Sequence, residues 1–464
     1  MAFKSLWGRS IILIKPLRQN LPEKGTLCQM PKGLIILHLS LGERNLTHFG
    51  GIFLIHQFCK KLRLKWYLQK QVLFPQRSSY YHPVELILAI LYALIAGIPR
   101  LSKTKILQGN GAFQQIIGLK KFPYASSLRR FLKRIDPKVI QAITKVHDQL
   151  RLKMFYLPKP RTSLLFDLDS SVLTLYGKLI EGAEVGYNPH KRGARSYHPL
   201  LCFEYHSRDF WHGLLRPGNV YTSSGAPEFF KECLEKVPPG IYRIRVRADS
   251  GFFDHKLIEP LDQEGIGYAV VAKMTRPIRK RVGTLRYHRF KKNWGAAEFF
   301  YKPFRWKEPH RFVVIRRPLP EKDSEQLTLF TLKRYSYQVF VTNLPLRAEE
   351  IWYFYRPRAA IEVTIRELKE SYALAKIPTS SFQANQFYFH LLLFAYNLVN
   401  WFKRLCLPPR FQNATLETIR TEFLVLPARL VKTDHQNILR LPSEYISKAT
   451  LDHVIQNIKK MKPL

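Results

Sequence analysis

The sequence predicts an α/β fold: a core of strands and helices, preceded by a helical region and interrupted by a β-rich basic insertion. Three observations predict it. Apolar spacing switches from a helical to a strand period near Pro158 and Pro160. The elements that follow run in the order β-β-β-α-β-α-β. A segment dense in Lys, Arg and aromatic residues then intervenes before a helical pattern returns near Ala348.

Taken in order, residues 1–46 match no recognisable pattern and stand as an unassigned N-terminal extension. Residues 47–157 read as helical, with apolar residues at helical spacing in Val84 to Ile95 and in Leu128 to Ile135. Ser126 and Ser127 are the candidate N-caps of the second of these. In 158–272 the β runs are Leu164 to Thr174, Leu200 to Tyr205 and Phe210 to Leu215, the last two joined by a turn at Ser207, Arg208 and Asp209. A helix (Pro227 to Lys236), a strand (Tyr242 to Ala248), a helix (Asp254 to Gln263) and a strand (Tyr268 to Ala272) follow. By analogy this is the order of an RNase H-like fold. The segment 273–345 reads as the β-rich insertion: Lys273 to Arg317 hold 15 Lys or Arg against two Glu, interleaved with aromatics that include Trp294 and Trp306. Further β runs are expected at Leu327 to Lys333 and Gln338 to Thr342. Residues 346–405 read as the second part of the core, and 406–464 as a basic C-terminal region.

The charge balance is lopsided. Seventy-five Lys plus Arg against 34 Asp plus Glu give +41 over 464 residues. Such an excess repels itself in a compact chain unless a polyanion relieves it. Nucleic acid is the leading candidate, because neutralising phosphates releases counterions. The basic helical region is then either a DNA-end-binding module or a platform for the core. Five scattered cysteines without a CxxC pair suggest neither a zinc ribbon nor a disulfide framework, and fit a reducing, cytoplasmic compartment. The longest apolar run, Leu86 to Ile98, is shorter than the roughly 20 residues a spanning helix needs. It reads as a buried helix, and no membrane segment is expected.

In so basic a chain, carboxylates inside apolar strands need a reason. Asp167 and Asp169 lie in Leu164-Leu165-Phe166-Asp167-Leu168-Asp169 and point to the same face. Burying them is costly unless they are paired or bound to a cation. Asp249 ends the strand Ile244 to Ala248, and the carboxyl end of an α/β strand is where ligands usually bind. For any one of these acids a salt bridge to a nearby Arg is an equal reading.

A third acid comes with its own geometry. Tyr355, Arg358, Glu362 and Lys369 fall at about 0°, 300°, 340° and 320° on a helical wheel. They form one polar stripe beside an apolar one of Ile361, Ile365 and Leu368. Pro357 is tolerable only in a first helical turn, so the helix should begin near it, with Tyr355 ahead of it.

The spacing Tyr355-x2-Arg358-x3-Glu362-x6-Lys369 resembles the Y-R-E-K signature of insertion-sequence-4-type DDE transposases. Leu168 to Val172, Tyr187-Asn188-Pro189, Ser196-Tyr197-His198-Pro199 and Arg247 to Phe252 are similar to the insertion-sequence-1380 branch. So are Phe382-x2-Asn385-Gln386 and Ala395-Tyr396-Asn397-Leu398. The resemblance covers about residues 47 to 430. It implies an RNase H-like core split by a β-rich insertion, with Asp169, Asp249 and Glu362 as catalytic residues holding two Mg2+ ions, which Mn2+ may replace. Asp167 is the rival for the first position. Asp169 is preferred because the family's motif places a small hydroxyl residue after the catalytic Asp, as Ser170 and Ser171 do here. Tyr355, Arg358 and Lys369 are expected to bind DNA backbone. Trp294 or Trp306 is a candidate to stack on an unpaired base. The implied partners are double-stranded DNA, as element ends and target, and a second copy of the chain in a synaptic dimer. The expected setting is the bacterial nucleoid. A nuclease on the same core and a non-catalytic DNA-binding derivative are the alternatives.

Overall fold

The computed structural model describes residues 10–13, 35–38, 45–74, 80–157, 161–177, 179–189, 191–319, 335–433, 436–444 and 446–464. The expected strand Leu327 to Lys333 and the Pro158 and Pro160 boundary lie outside the described residues, as does most of the N-terminal extension.

The helical region begins with α1 (Ile52–Lys61) and α2 (Leu64–Gln71), followed by α3 (Pro83–Ile95). Of α3, all but Glu85 is buried, as its unbroken apolar sequence requires. His82 and Glu85 close a capping box on its first turn. Helices α4 (Ala125–Lys133) and α5 (Pro137–Phe155) complete the region. Ser126 and Ser127 sit inside the first turn of α4 rather than at its cap. Tyr124 takes the cap position with no side-chain bond, because the extended Tyr124 already sets the chain direction into the helix.

The centre of the molecule is a nine-stranded mixed sheet with helices on both faces. Its strands are β1 (Ser163–Ser170), β2 (Leu200–Glu204), β3 (Phe210–Leu214), β4 (Arg243–Ala248) and β5 (Gly267–Val271), then β6 (His288–Lys291), β7 (Trp294–Tyr301), β8 (His310–Pro318) and β9 (Tyr335–Thr342). The first five lie in the order β3-β2-β1-β4-β5, with β1, β4 and β5 parallel, β2 antiparallel to β1 and β3 antiparallel to β2. The β2–β3 turn is made by Arg208 at φ 57, a left-handed residue that closes the hairpin. Strands β9, β8, β7 and β6 then extend the same sheet beyond β5, each antiparallel to its neighbour.

Between β3 and β4, α6 (Ala226–Glu235) packs Phe229, Phe230 and Cys233 on one face of the sheet, and α7 (His255–Gln263) adds Leu257, Ile258 and Leu261. On the opposite face come α8 (Ala348–Tyr355), a 3-10 turn at Arg356–Arg358 and α9 (Ala359–Glu370). The break falls where Pro357 requires it. The 25-residue α10 (Phe382–Cys406) runs through the interior, separated from α9 rather than continuous with it. Two asparagines of the motifs noted above tie it down. Asn397 bonds both backbone groups of Phe210 (2.8 and 2.9 Å), and Asn385 donates to Tyr197 Oη (3.1 Å). These bonds satisfy buried amides that the apolar surroundings would otherwise strand. Helix α11 (Lys448–Lys460) closes over α10. No helix among the described residues is long and apolar enough to cross a membrane.

Candidate active site

Asp169 is the penultimate residue of β1, and Asp249 follows the last residue of β4. The two strands are parallel neighbours whose last registered pair is Leu168 with Ala248. The next step along each strand therefore sets the two carboxylates side by side at the carboxyl edge of the sheet. Glu362 reaches the same place from the first turn of α9. All three line one cavity of about 700 Å³, together with Ser170, His198, Thr222, Lys273, Arg366 and Lys369. Three elements far apart in sequence thus bring the three acids to one cavity.

Each carboxylate is held differently. Asp169 is 8% exposed; it accepts the Ser170 N–H (2.8 Å) and faces the Arg358 guanidinium at 3.3 Å. Burial pushes its pKa up to about 6; Arg358 opposes the rise, while the charges of Asp249 and Glu362 add to it. Asp249 accepts the Gly251 N–H (3.0 Å) at the start of a short 3-10 turn. Gly251 is needed there, since a Cβ would lie 2.9 Å from Thr222 and 3.0 Å from the Asp249 carboxylate. The Glu362 side chain is 66% exposed and only 3.9 Å from Arg358, so it keeps its rotameric freedom.

Asp167 faces a different environment. Its two oxygens accept Nε and Nη2 of Arg247 at 2.7 and 2.8 Å, and both side chains are almost wholly buried. Arg247 also donates to the Phe354 carbonyl (2.7 Å). The rival carboxylate is consumed by a bidentate ion pair and does not line the cavity.

The residues expected on DNA divide. Lys369 is half-buried in the cavity wall, where burial lowers its pKa and Asp169 opposes the drop. Arg358 is turned inward: 4% exposed, it donates to the Leu168 carbonyl (2.9 Å) and braces Asp169. Part of its guanidinium is thus engaged by the Leu168 carbonyl and Asp169. Tyr355 packs its ring on Phe340 at 4.8 Å and is 9% exposed; burial pushes its hydroxyl up to about 12. Trp306 is 6% exposed and wedged against Phe253 and His310. Trp294 is half-buried and packs on Trp352 at 5.0 Å. Neither tryptophan lines the cavity.

Some residues at the site were quoted in motifs without a role. His198 Nδ1 contacts the Val220 carbonyl (2.9 Å), its Nε2 approaches Thr222 Oγ1 (3.4 Å), and Thr222 Oγ1 meets Ser170 Oγ (3.0 Å). Arg216 Nε supports this wall by donating to the His198 carbonyl (2.9 Å). The Ser196-Tyr197-His198-Pro199 segment was the only signal for it in the sequence.

The donor chemistry fits a hard divalent cation, since carboxylate oxygens gather where burial already disfavours negative charge. Among the described residues, no three His, Cys, Asp or Glu side chains stand close enough as placed to enclose an ion. Of the three acids Glu362, its side chain 66% exposed, has the most room to change rotamer.

Two acids at the carboxyl edge of the sheet and a third reaching their cavity from α9 are suited to metal-assisted phosphoryl transfer. The family model described as "Transposase DDE domain group 1" matches residues 37–463, and the chain belongs to that family. It is a DNA transposase. A cryo-EM structure of the piggyBac transposase synaptic complex with hairpin DNA is similar over 76% of this chain and 74% of that one, at 13% identity and a TM-score of 0.41. The Mos1 transposase paired-end complex with a left transposon end is similar over 43% of this chain and 60% of that one, at 8% identity and a TM-score of 0.17. No curated protein sequence matches the chain.

Proposed function

We propose that this transposase cuts and joins DNA with Asp169, Asp249 and Glu362, on an RNase H-like core of the insertion-sequence-4 type, in the insertion-sequence-1380 branch. The observation that carries the reading is the convergence of those three side chains on one cavity. The order β3-β2-β1-β4-β5 supports the core assignment. Asp169 is the first acid because it lines the cavity, while Asp167 is bound to Arg247.

Two Mg2+ ions, or Mn2+, bound by these carboxylates would activate the attacking oxygen and stabilise the leaving one. The protein's own residues do the rest. Arg358, anchored on the Leu168 carbonyl, braces the Asp169 carboxylate in place. Lys369, with Arg366 and Lys273 on the same wall, offers cations to the phosphates beside the cut. Water attacks the phosphorus at the element's end first, breaking its P–O3′ bond to free a 3′-OH and leave a 5′-phosphate; that 3′-OH then attacks a phosphorus of target DNA and displaces the target strand's own 3′-OH. The partners are double-stranded DNA and a second copy of the chain in the synaptic complex.

The reading is tested by offering a duplex that already ends in the element's 3′-OH, with Mg2+ and a supercoiled plasmid. Joined products are expected. Hydrolysis of an uncut end without any joining of the pre-cut one would mark a nuclease instead.

Metal uptake should depend on pH. Asp169 titrates near 6 in the folded chain against 3.8 as a free side chain. The folded state therefore binds the extra proton between those values, and this group's contribution to stability is lost as pH rises through about 6. A divalent ion competes with that proton, so affinity falls up to about tenfold for each pH unit below 6. Mn2+ should raise the melting temperature clearly at pH 7.5 and little at pH 5. An equal rise at both would exclude Asp169 as a ligand.

A further inference from the structure

The cavity at the acids does not end at Lys369. A second cavity, of about 600 Å³, shares Lys369 and Val172 with it and continues past the end of α9. Its remaining walls come from the turn after α3, from α4, and from the segments that follow β1 and α9. The chemistry of these walls is one-sided. Arg100, Arg129, Lys369 and Lys376 line it, and no Asp or Glu does. Arg100, Arg129 and Lys376 are exposed, and among the described residues none of the four cations is engaged in an ion pair or a side-chain hydrogen bond. At the rim Tyr176 is 80% exposed, with the Lys191 ammonium 4.7 Å from its ring centre.

Four cations around a groove with no acid on its walls, Lys369 among them eased by Asp169 next door, repel each other unless a polyanion enters. An isolated anion would satisfy the charge but would not explain the continuity with the acids. A phosphodiester held at Asp169, Asp249 and Glu362 belongs to a strand that leaves the cavity on both sides of the cut, and one of its two arms can follow this wall. The shared wall at Lys369 opens on an acid-free groove with an aromatic face at its mouth, the combination that follows a nucleic-acid strand by charge and stacking. We propose that the second cavity is a track for the sugar-phosphate backbone of the strand being cut, which runs from the acids past Lys369 onto Arg100, Arg129 and Lys376. These three are positioning residues: they fix the register of the strand and touch no reacting atom. The inference rests on the assignment of the three acids as the cutting site.

The test uses the full chain and a labelled duplex carrying the DNA that flanks its own coding region. A single neutral methylphosphonate is walked through the linkages on both sides of the cut. In the wild type, two or three adjacent linkages on one side should each weaken binding several-fold when neutralised. The triple variant Arg100→Ala, Arg129→Ala, Lys376→Ala should melt as the wild type does and bind the unmodified duplex at least about tenfold more weakly. The slope of its log affinity against log salt should be shallower by about 2 to 3, at roughly 0.9 for each phosphate contact. It should also become indifferent to those same linkages. A wild type with no one-sided sensitivity overturns the track. So does a triple variant that keeps the wild-type linkage profile, whether or not its overall affinity falls, since the charges then act only as a general field. Failure of the underlying assignment looks different: Asp169→Ala would still cut.

Discussion

Glu362→Gln leaves the fold unchanged and lowers strand cleavage by about a thousandfold or more. The side chain is largely in solvent, and its contact with Arg358 is a 3.9 Å i,i+4 pair. Such exposed pairs contribute about 0–1 kcal/mol, so the melting curve should hardly move. Glutamine keeps the size and position on α9 but lacks the charge that a divalent ion requires. Denaturation and cleavage measured on one preparation check both halves. Cleavage near the wild-type rate would remove Glu362 from the site. A large loss of stability would make it a structural residue.

Asp167→Ala should do the reverse. It leaves Arg247 buried with no carboxylate beside it, held by the Phe354 carbonyl and by the face of the Tyr205 ring at 4.2 Å. Breaking a buried pair from one side costs about 3–5 kcal/mol. The urea midpoint should fall accordingly, while the molecules still folded cut within a few-fold of wild type. Replacing both partners, as Asp167→Leu with Arg247→Met, should recover most of the stability, because neither charge is then buried alone. A stable Asp167→Ala variant that cannot cut would return Asp167 to the first catalytic position.

Much of this architecture was legible because it is written locally. The apolar, buried-strand run in Leu164 to Asp169 marked β1, Pro357 placed the break between α8 and α9, and the unbroken apolar run after Val84 marked the buried α3. The polar stripe of Tyr355, Arg358, Glu362 and Lys369 was readable as a spacing, but a spacing cannot say how deep each side chain sits. Arg358 and Tyr355 turned out to lie under the site, Lys369 in its wall and Glu362 outside. The partner of Asp167 is 80 residues away on a neighbouring strand, and strand pairing is not encoded in periodicity. The same holds for β6 to β9. Their strand character was visible in part, but their continuation of the central sheet beyond β5 depends on non-local pairing. Trp306 was singled out for its aromatic ring, and that ring is in the hydrophobic core.

In the proposed function, three carboxylates from β1, from the end of β4 and from α9 form one cutting site. The measurement that tests it most directly is cleavage of an end-bearing duplex in Mg2+ by Asp169→Ala, Asp249→Ala and Glu362→Ala beside wild type, with binding of the same duplex followed in parallel. Each variant should bind the duplex with near wild-type affinity and fail to cut it. Cutting at the wild-type rate by all three would contradict the claim.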